Sequence, residues 1–292
     1  TIGTIVTDVS NKEAKNSVIG FDGQMRFWGS SSISAWYSQV NNDQFEKPSQ
    51  ASMIKVDLKN DRYFFTAGQH RVDKDFDPAL GFVQRNDMVG TGAIMGFTPR
   101  VGNGEELIRQ MRYTLYLRDV KNLEGISETG IVNVGIDAIF ESRDRVGLKI
   151  IQEREKLLNS FTLGNGLEIQ KGNYRDRKIS LSARTNQSRG YWGNFNFSKG
   201  DYFGGNKTSW NTSIGRQFSN HLTLYGSANQ NIIFMPNQGE FTANIYGFTA
   251  EVALNREWFG KALIQYDNFS NQLQLYCRIN WIHTPGSDLF IV

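Results

Sequence analysis

The sequence predicts an all-β fold: a transmembrane antiparallel up-and-down β-barrel with about 16 strands visible, part of a slightly larger barrel. Three observations predict it. Most strand-like segments alternate apolar and polar residues over about a membrane-spanning length. Their two faces differ in composition, and the connections between them are either tight or long.

The first segment, around Ile19, Phe21, Met25 and Phe27, opposes Asp22, Gln24 and Arg26. Ile54, Val56 and Leu58 oppose Lys55 and Asp57 in the same way. Met111, Tyr113, Leu115 and Leu117 then stand against Arg112, Thr114 and Arg118, and Val132, Val134, Ile136, Ala138 and Phe140 against Asn133, Asp137 and Glu141. A charged strand over 145–154 precedes Ile179, Leu181 and Ala183, which face away from Lys178, Ser180, Ser182 and Arg184. Tyr191, Phe195 and Phe197 face away from Asn194, Asn196 and Ser198, and Leu222 and Leu224 oppose His221, Thr223 and Tyr225. Phe248, Ala250, Val252 and Leu254 oppose Thr249, Glu251 and Asn255. The segments 261–267 and 272–283 read as a hairpin about a polar turn at Asn268 to Asn271. Charges are expected mid-strand on one face only.

A soluble sheet with one wet face also alternates. A sandwich, however, packs large aliphatics on its inner face, whereas this apolar face mixes Leu, Ile and Val with Gly, Ala, Tyr and Trp, which lipid tolerates. The opposite face carries Arg, Lys, Asp and Glu at strand centres, where a wet lumen and cross-strand pairing keep them solvated. Mean hydropathy of −0.44 and a 39% apolar content do not exclude a membrane, because a spanning strand gives only every second side chain to lipid. The 13% aromatic content, 29 glycines and only 5 prolines suit interfacial girdles, crowded interiors and unbroken ladders. No stretch reaches the roughly 20 apolar residues of a spanning helix.

The 292 residues form one domain, interrupted by long loops over 73–87 and 156–174. The first loop, D-K-D-F-D-P-A-L-G-F-V-Q-R-N-D, has an apolar tip, and Phe76, Leu80, Phe82, Val83 and Arg85 are candidates for an inward-folded lumen constriction. The alternative is an ordinary structured rim loop. Asp73, Asp75 and Asp77 are spaced like hard-cation ligands, but the glycine and terminal glutamate of an EF-hand are missing, so no metal site is assigned. The second loop holds a G-N-G that lacks the following helix a phosphate site requires, so it reads as an extended rim loop. No cofactor is expected.

A charge of +3, from 32 basic and 29 acidic residues, predicts no nucleic-acid partner. The lone Cys277 rules out an internal disulfide. His70, His221 and His283 fall on three different predicted strands, and the sequence has neither a G-x-S-x-G elbow nor a His-x-x-x-His pair. Asp137, Glu141 and Glu251 face one lumen, yet nothing in the sequence sets their separation, so no catalytic residue is assigned.

The segment Asp75 to Arg85, the segment G-N-F-N-F-S-K-G-D-Y-F-G-G-N-K-T at Gly193 to Thr208 and the C-terminal stretch from Ile264 to Val292 resemble a family of bacterial surface proteins. In that family a carbohydrate-binding module of the family-nine type precedes a C-terminal outer-membrane barrel domain of unknown function. The resemblance covers nearly the whole chain. It implies residence in the bacterial outer membrane with lipid as partner, and glycans bound through an N-terminal module preceding Thr1. It also implies further strands before Thr1 and after Val292. Three roles follow: an anchor or conduit for a glycan-binding region, a plugged barrel subunit with protein partners in a larger surface or secretion assembly, or an outer-membrane hydrolase.

Overall fold

A computed structural model describes residues 1–10, 15–102, 106–284 and 286–292. The strands, in chain order, are β1 (Ile2–Ser10), β2 (Lys15–Phe27), β3 (Ser31–Asn42), β4 (Ser49–Lys59), β5 (Tyr63–Val72), β6 (Met88–Phe97), β7 (Ile108–Lys121), β8 (Ser127–Phe140) and β9 (Arg145–Leu157). A two-stranded sheet of β10 (Phe161–Thr162) and β11 (Glu168–Ile169) flanks a 3₁₀ turn at Gly164–Gly166. There follow β12 (Gly172–Arg184), β13 (Tyr191–Tyr202), β14 (Gly205–Ser219), β15 (Leu222–Met235), β16 (Gly239–Ala253), β17 (Trp258–Asp267), β18 (Gln272–Thr284) and β19 (Ser287–Ile291).

Apart from β10 and β11, these form one antiparallel sheet of 17 strands, one more than the alternating segments predict. Consecutive strands pair in an up-and-down order, and β9 passes directly to β12. Most strands contain 10 to 15 residues, enough for the roughly 9 to 11 that a tilted membrane strand needs. Among the described residues no ladder joins β1 to β19.

The registers carry the sequence alternation from strand to strand. Val134 lies opposite Leu115 and Ile150, and Leu181 opposite Leu148 and Phe197, so the apolar positions form one continuous outer face. Its large side chains are exposed, as expected of a face whose solvent is lipid. Tyr63, Phe97 and Tyr113 stack at one end of this face, with centroids 5.1 and 6.3 Å apart, and Trp258 stacks on Trp281 at 5.3 Å. Tyr266 lies eight residues along β17 from Trp258. That is roughly 27 Å of strand, or roughly 21 Å of membrane depth at a tilt of about 40°, a match for the apolar band between two aromatic girdles.

The two rims differ. At the turn rim, Gly29, Asn60–Arg62, Glu141–Asp144 and Asn220–His221 lie in tight connections. The opposite rim carries both long excursions, between β5 and β6 and between β9 and β12; it is called the loop rim below. It also carries a two-residue connection, Phe203–Gly204, whose residues have φ of 47° and 83°. That pair of left-handed residues matches the twist of the flanking strands, which explains a glycine in the second place.

Candidate functional site: the inner face and its two inward loops

The inner face is polar through its middle. Across β7, β8 and β9, Arg112 stands opposite Asp137, and Asp137 accepts a 2.6 Å hydrogen bond from Arg145. Glu153 pairs with Lys178 on the neighbouring β12. Lys207 of β14 lies over the Tyr202 ring, 5.2 Å from its centroid. Past β13 the charges give way to amides and hydroxyls, where Asn196 opposes Asn211, Asn211 opposes Asn229, and Ser209 donates to Asn231 at 2.8 Å. At the far end Glu251 accepts from Lys261 at 3.0 Å. Apart from Lys207, which lies over an aromatic ring, these groups meet an opposite charge or a polar group across one strand spacing, which offsets part of their desolvation.

Towards the loop rim the same inner face turns apolar, and there the two long loops dock. The buried cluster Val18, Val40, Ala51, Val72, Met88 and Val120 is contributed by β2 to β7 on their inward-facing positions. Phe76, from the first loop, completes it, with Val83 and Trp36 packed against it. Polar contacts fix the loop's course. The Asn16 side chain donates to the Asp77 carbonyl at 2.8 Å and accepts from the Ala79 amide at 3.1 Å. Arg85 pairs with the buried Glu128, and the Asp87 carboxylate accepts from the Leu123 amide at 3.0 Å.

The candidate constriction residues therefore divide. Phe76 is an anchor in the wall, Val83 is half-buried beside it, and Arg85 is held by Glu128. Leu80 and Phe82 form the free tip, with Phe82 91% exposed. Asp73, the first of the three spaced aspartates, is tied to Arg71 at 3.1 Å and to the Gln50 amide at 3.1 Å.

The second loop, read from sequence as an extended rim loop, instead folds inward. Leu167 and Ile169 are buried against Ile233 and Met235 of β15, with Tyr174, Tyr202, Phe203 and Phe241 around them. Gln238 clasps the Glu168 backbone, accepting from its amide at 2.7 Å and donating to its carbonyl at 2.9 Å. The connection leaves β9 and reaches β15 and β16, so it crosses the inner face over several strands. A sequence signal for this existed: Tyr202, Ile233 and Phe241 occupy inward positions that elsewhere hold Asn, Ser or charge, and Leu163, Leu167 and Ile169 recur in the loop. A wet lumen has no use for such residues unless something covers them.

One further correction concerns side-chain placement. His221 lies in the tight turn Asn220–His221 rather than on a strand, with Nδ1 2.6 Å from the Ala253 carbonyl, because β14 extends one residue past Phe218 to Ser219. His70 points inward across from Gly90, and His283 packs beside Trp281 at 5.0 Å, so the three histidines stay apart. Asp137 and Glu251 belong to separate ion pairs on distant strands. Outside the mid-strand positions, charges also stand on the outward register, at the loop-rim ends of β7, β9, β12 and β13. Arg154, Arg175, Arg177 and Lys199 share the outward register with Ile150, Ile179 and Phe197, beyond the apolar band.

An up-and-down antiparallel wall, apolar outside and charged inside, with its two longest loops at one rim, is the build of the membrane-spanning β-barrel class. In comparison with solved structures, the chain is similar to OmpT (in-vitro folded), an outer membrane protein of Vibrio cholerae, at a TM-score of 0.41 and 9% identity over 94% of this chain and 92% of that one. No family model and no curated protein matches the chain.

Proposed function

We propose that this chain forms an outer-membrane β-barrel that acts as a conduit, its loop-rim mouth narrowed by the segments 73–87 and 158–171. One observation carries the reading: both long loops fold back onto apolar patches of an otherwise polar inner face, so the mouth is built to be partly covered. The charged and amide-lined wall below offers a wet path. An anchoring role for an N-terminal glycan-binding region rests on the sequence resemblance alone, and a full-length coding sequence without such a region overturns it.

Reconstitution in planar bilayers tests the conduit. The intact chain is expected to show small unitary conductance, and replacing 159–170 by a short Gly/Ser link to raise it several-fold. Electrical silence in both forms overturns the conduit and favours a plugged structural subunit.

A further inference from the structure

Outward-facing cations are concentrated in one place. On the outer surface at the loop-rim end of β7 to β13 stand Lys121, Arg154, Lys156, Arg175, Arg177 and Lys199, with only Asp119 and Asp201 among them. Arg154 lies directly opposite Arg175 in the ladder between β9 and β12. Like charges opposed across a ladder repel, and lipid-facing arginines are tolerated only near the interface. Asp119 answers two of them: it accepts from Arg154 at 3.1 Å and pairs with Lys121 at 3.7 Å, while the same Arg154 nitrogen also donates to Ser127 at 2.6 Å. The Asp201 carboxylate is occupied by the backbone amide of Arg177 at 3.2 Å. The Arg175, Arg177 and Lys199 side chains have no hydrogen-bond or ion-pair partner among the described residues.

Beside these cations the outer face is hollowed. Arg154 and Arg175 line the upper edge of a groove of about 670 Å³. It is hollow because Ala67, Ala93 and Gly130 stand where neighbouring strands carry large side chains. Below it a second groove of about 910 Å³, walled by Leu58, Phe65, Met95 and Ile150, runs towards Tyr63 at the turn rim. Cations sit above an apolar trough that extends along the membrane depth.

We infer that this face binds a phosphate-bearing lipid of the outer leaflet, its phosphate between Arg154 and Arg175 with Arg177 and Lys199 adjacent, and its acyl chains in the grooves below. Guanidinium forks match phosphate oxygens bidentately, and one anion relieves the repulsion of the opposed pair. The inference rests on the membrane placement proposed above.

The test uses the chain folded into phosphatidylcholine vesicles, with and without 10% phosphatidic acid, followed by native mass spectrometry of released complexes. Preferential retention of phosphatidic acid is expected, reduced at least tenfold in the R154Q/R175Q/R177Q variant and less so in R175K, which keeps the charge but loses the bidentate fork. The variant's heat-modifiable gel migration shows that it still folds. Equal retention by wild type and triple variant overturns the lipid site, as does full displacement by millimolar inorganic phosphate, which marks a general anion patch. Failure of the wild-type chain to insert at all overturns the membrane reading itself, and is distinct from insertion without lipid preference.

Discussion

At the scale of single residues, the inner wall depends on which groups face each other across one strand spacing. Asp137 is buried between Arg112 and Arg145. Asp137→Asn keeps the shape but removes the charge that both arginines share, and is expected to cost about 1–3 kcal/mol because buried donors lose an ionised acceptor. Urea unfolding in detergent micelles reads this, and an unchanged midpoint refutes it. Space matters as much as charge. The His70 ring occupies the room left by Gly90, so a Cβ there runs into the imidazole. Gly90→Ala is expected to destabilise by about 1–3 kcal/mol through overpacking, and His70→Ala in the same chain to restore most of it. The sequence shows that His70 and Asp137 face inward, but their partners lie on strands paired by register, which periodicity within one strand does not reveal.

At the scale of elements, the two inward loops are held by small apolar clusters rather than by a general core. Ile169 is 1% exposed, and Ile169→Ala is expected to weaken docking of the second loop by about 2–4 kcal/mol. Hydrogen exchange at the Leu167 and Ile169 amides is expected to accelerate while the β14–β15 ladder keeps its protection. Loss of protection throughout the sheet instead makes the loop a structural keystone. At the turn rim, the Asp144 carboxylate accepts from the Asn186 amide at 2.9 Å, from Ser142 at 2.8 Å and from Arg189 at 3.1 Å, tying two connections together. These hydrogen bonds, the Asn186 amide foremost, hold its pKa below the ordinary carboxylate value of 3.8. A depressed carboxylate stabilises the fold above its unfolded pKa, and that contribution disappears as pH falls through the folded value. Local opening of 141–144 and 185–190 is therefore expected only below about pH 4, and Asp144→Asn is expected to remove the dependence, with exchange at the Asn186 amide as the measurement.

At the scale of the whole molecule, the outer face and the wet inner face make opposite demands, and the sheet meets both with period-two alternation. Heat-modifiable migration and extraction only with detergent are the expected bulk signatures, and a freely soluble monomer refutes them. The strand-by-strand alternation made most of this legible. Segments such as 132–140 and 272–283 show an outward and an inward side without reference to any neighbour, because side-chain direction in a strand is local. Length and turn chemistry also marked most connections, including the polar turn at Asn268 to Asn271.

Three features came only with tertiary structure. Apolar inward positions signalled a cover, but that the second loop supplies it was decided by the contact of Leu167 and Ile169 with Ile233 and Met235, more than sixty positions away. The His221 turn was set by where β14 ends, a boundary that the β14–β15 register decides. The cationic outer patch joins residues from separate strands, and only the ladder shows that Arg154 meets Arg175. The sequence by itself determined that the strands are two-faced and what each face is made of, since alternation is a property of neighbouring residues. Tertiary structure decided what covers the inner face and where the outer charges converge, since both depend on contacts across strands that the chain order alone does not specify.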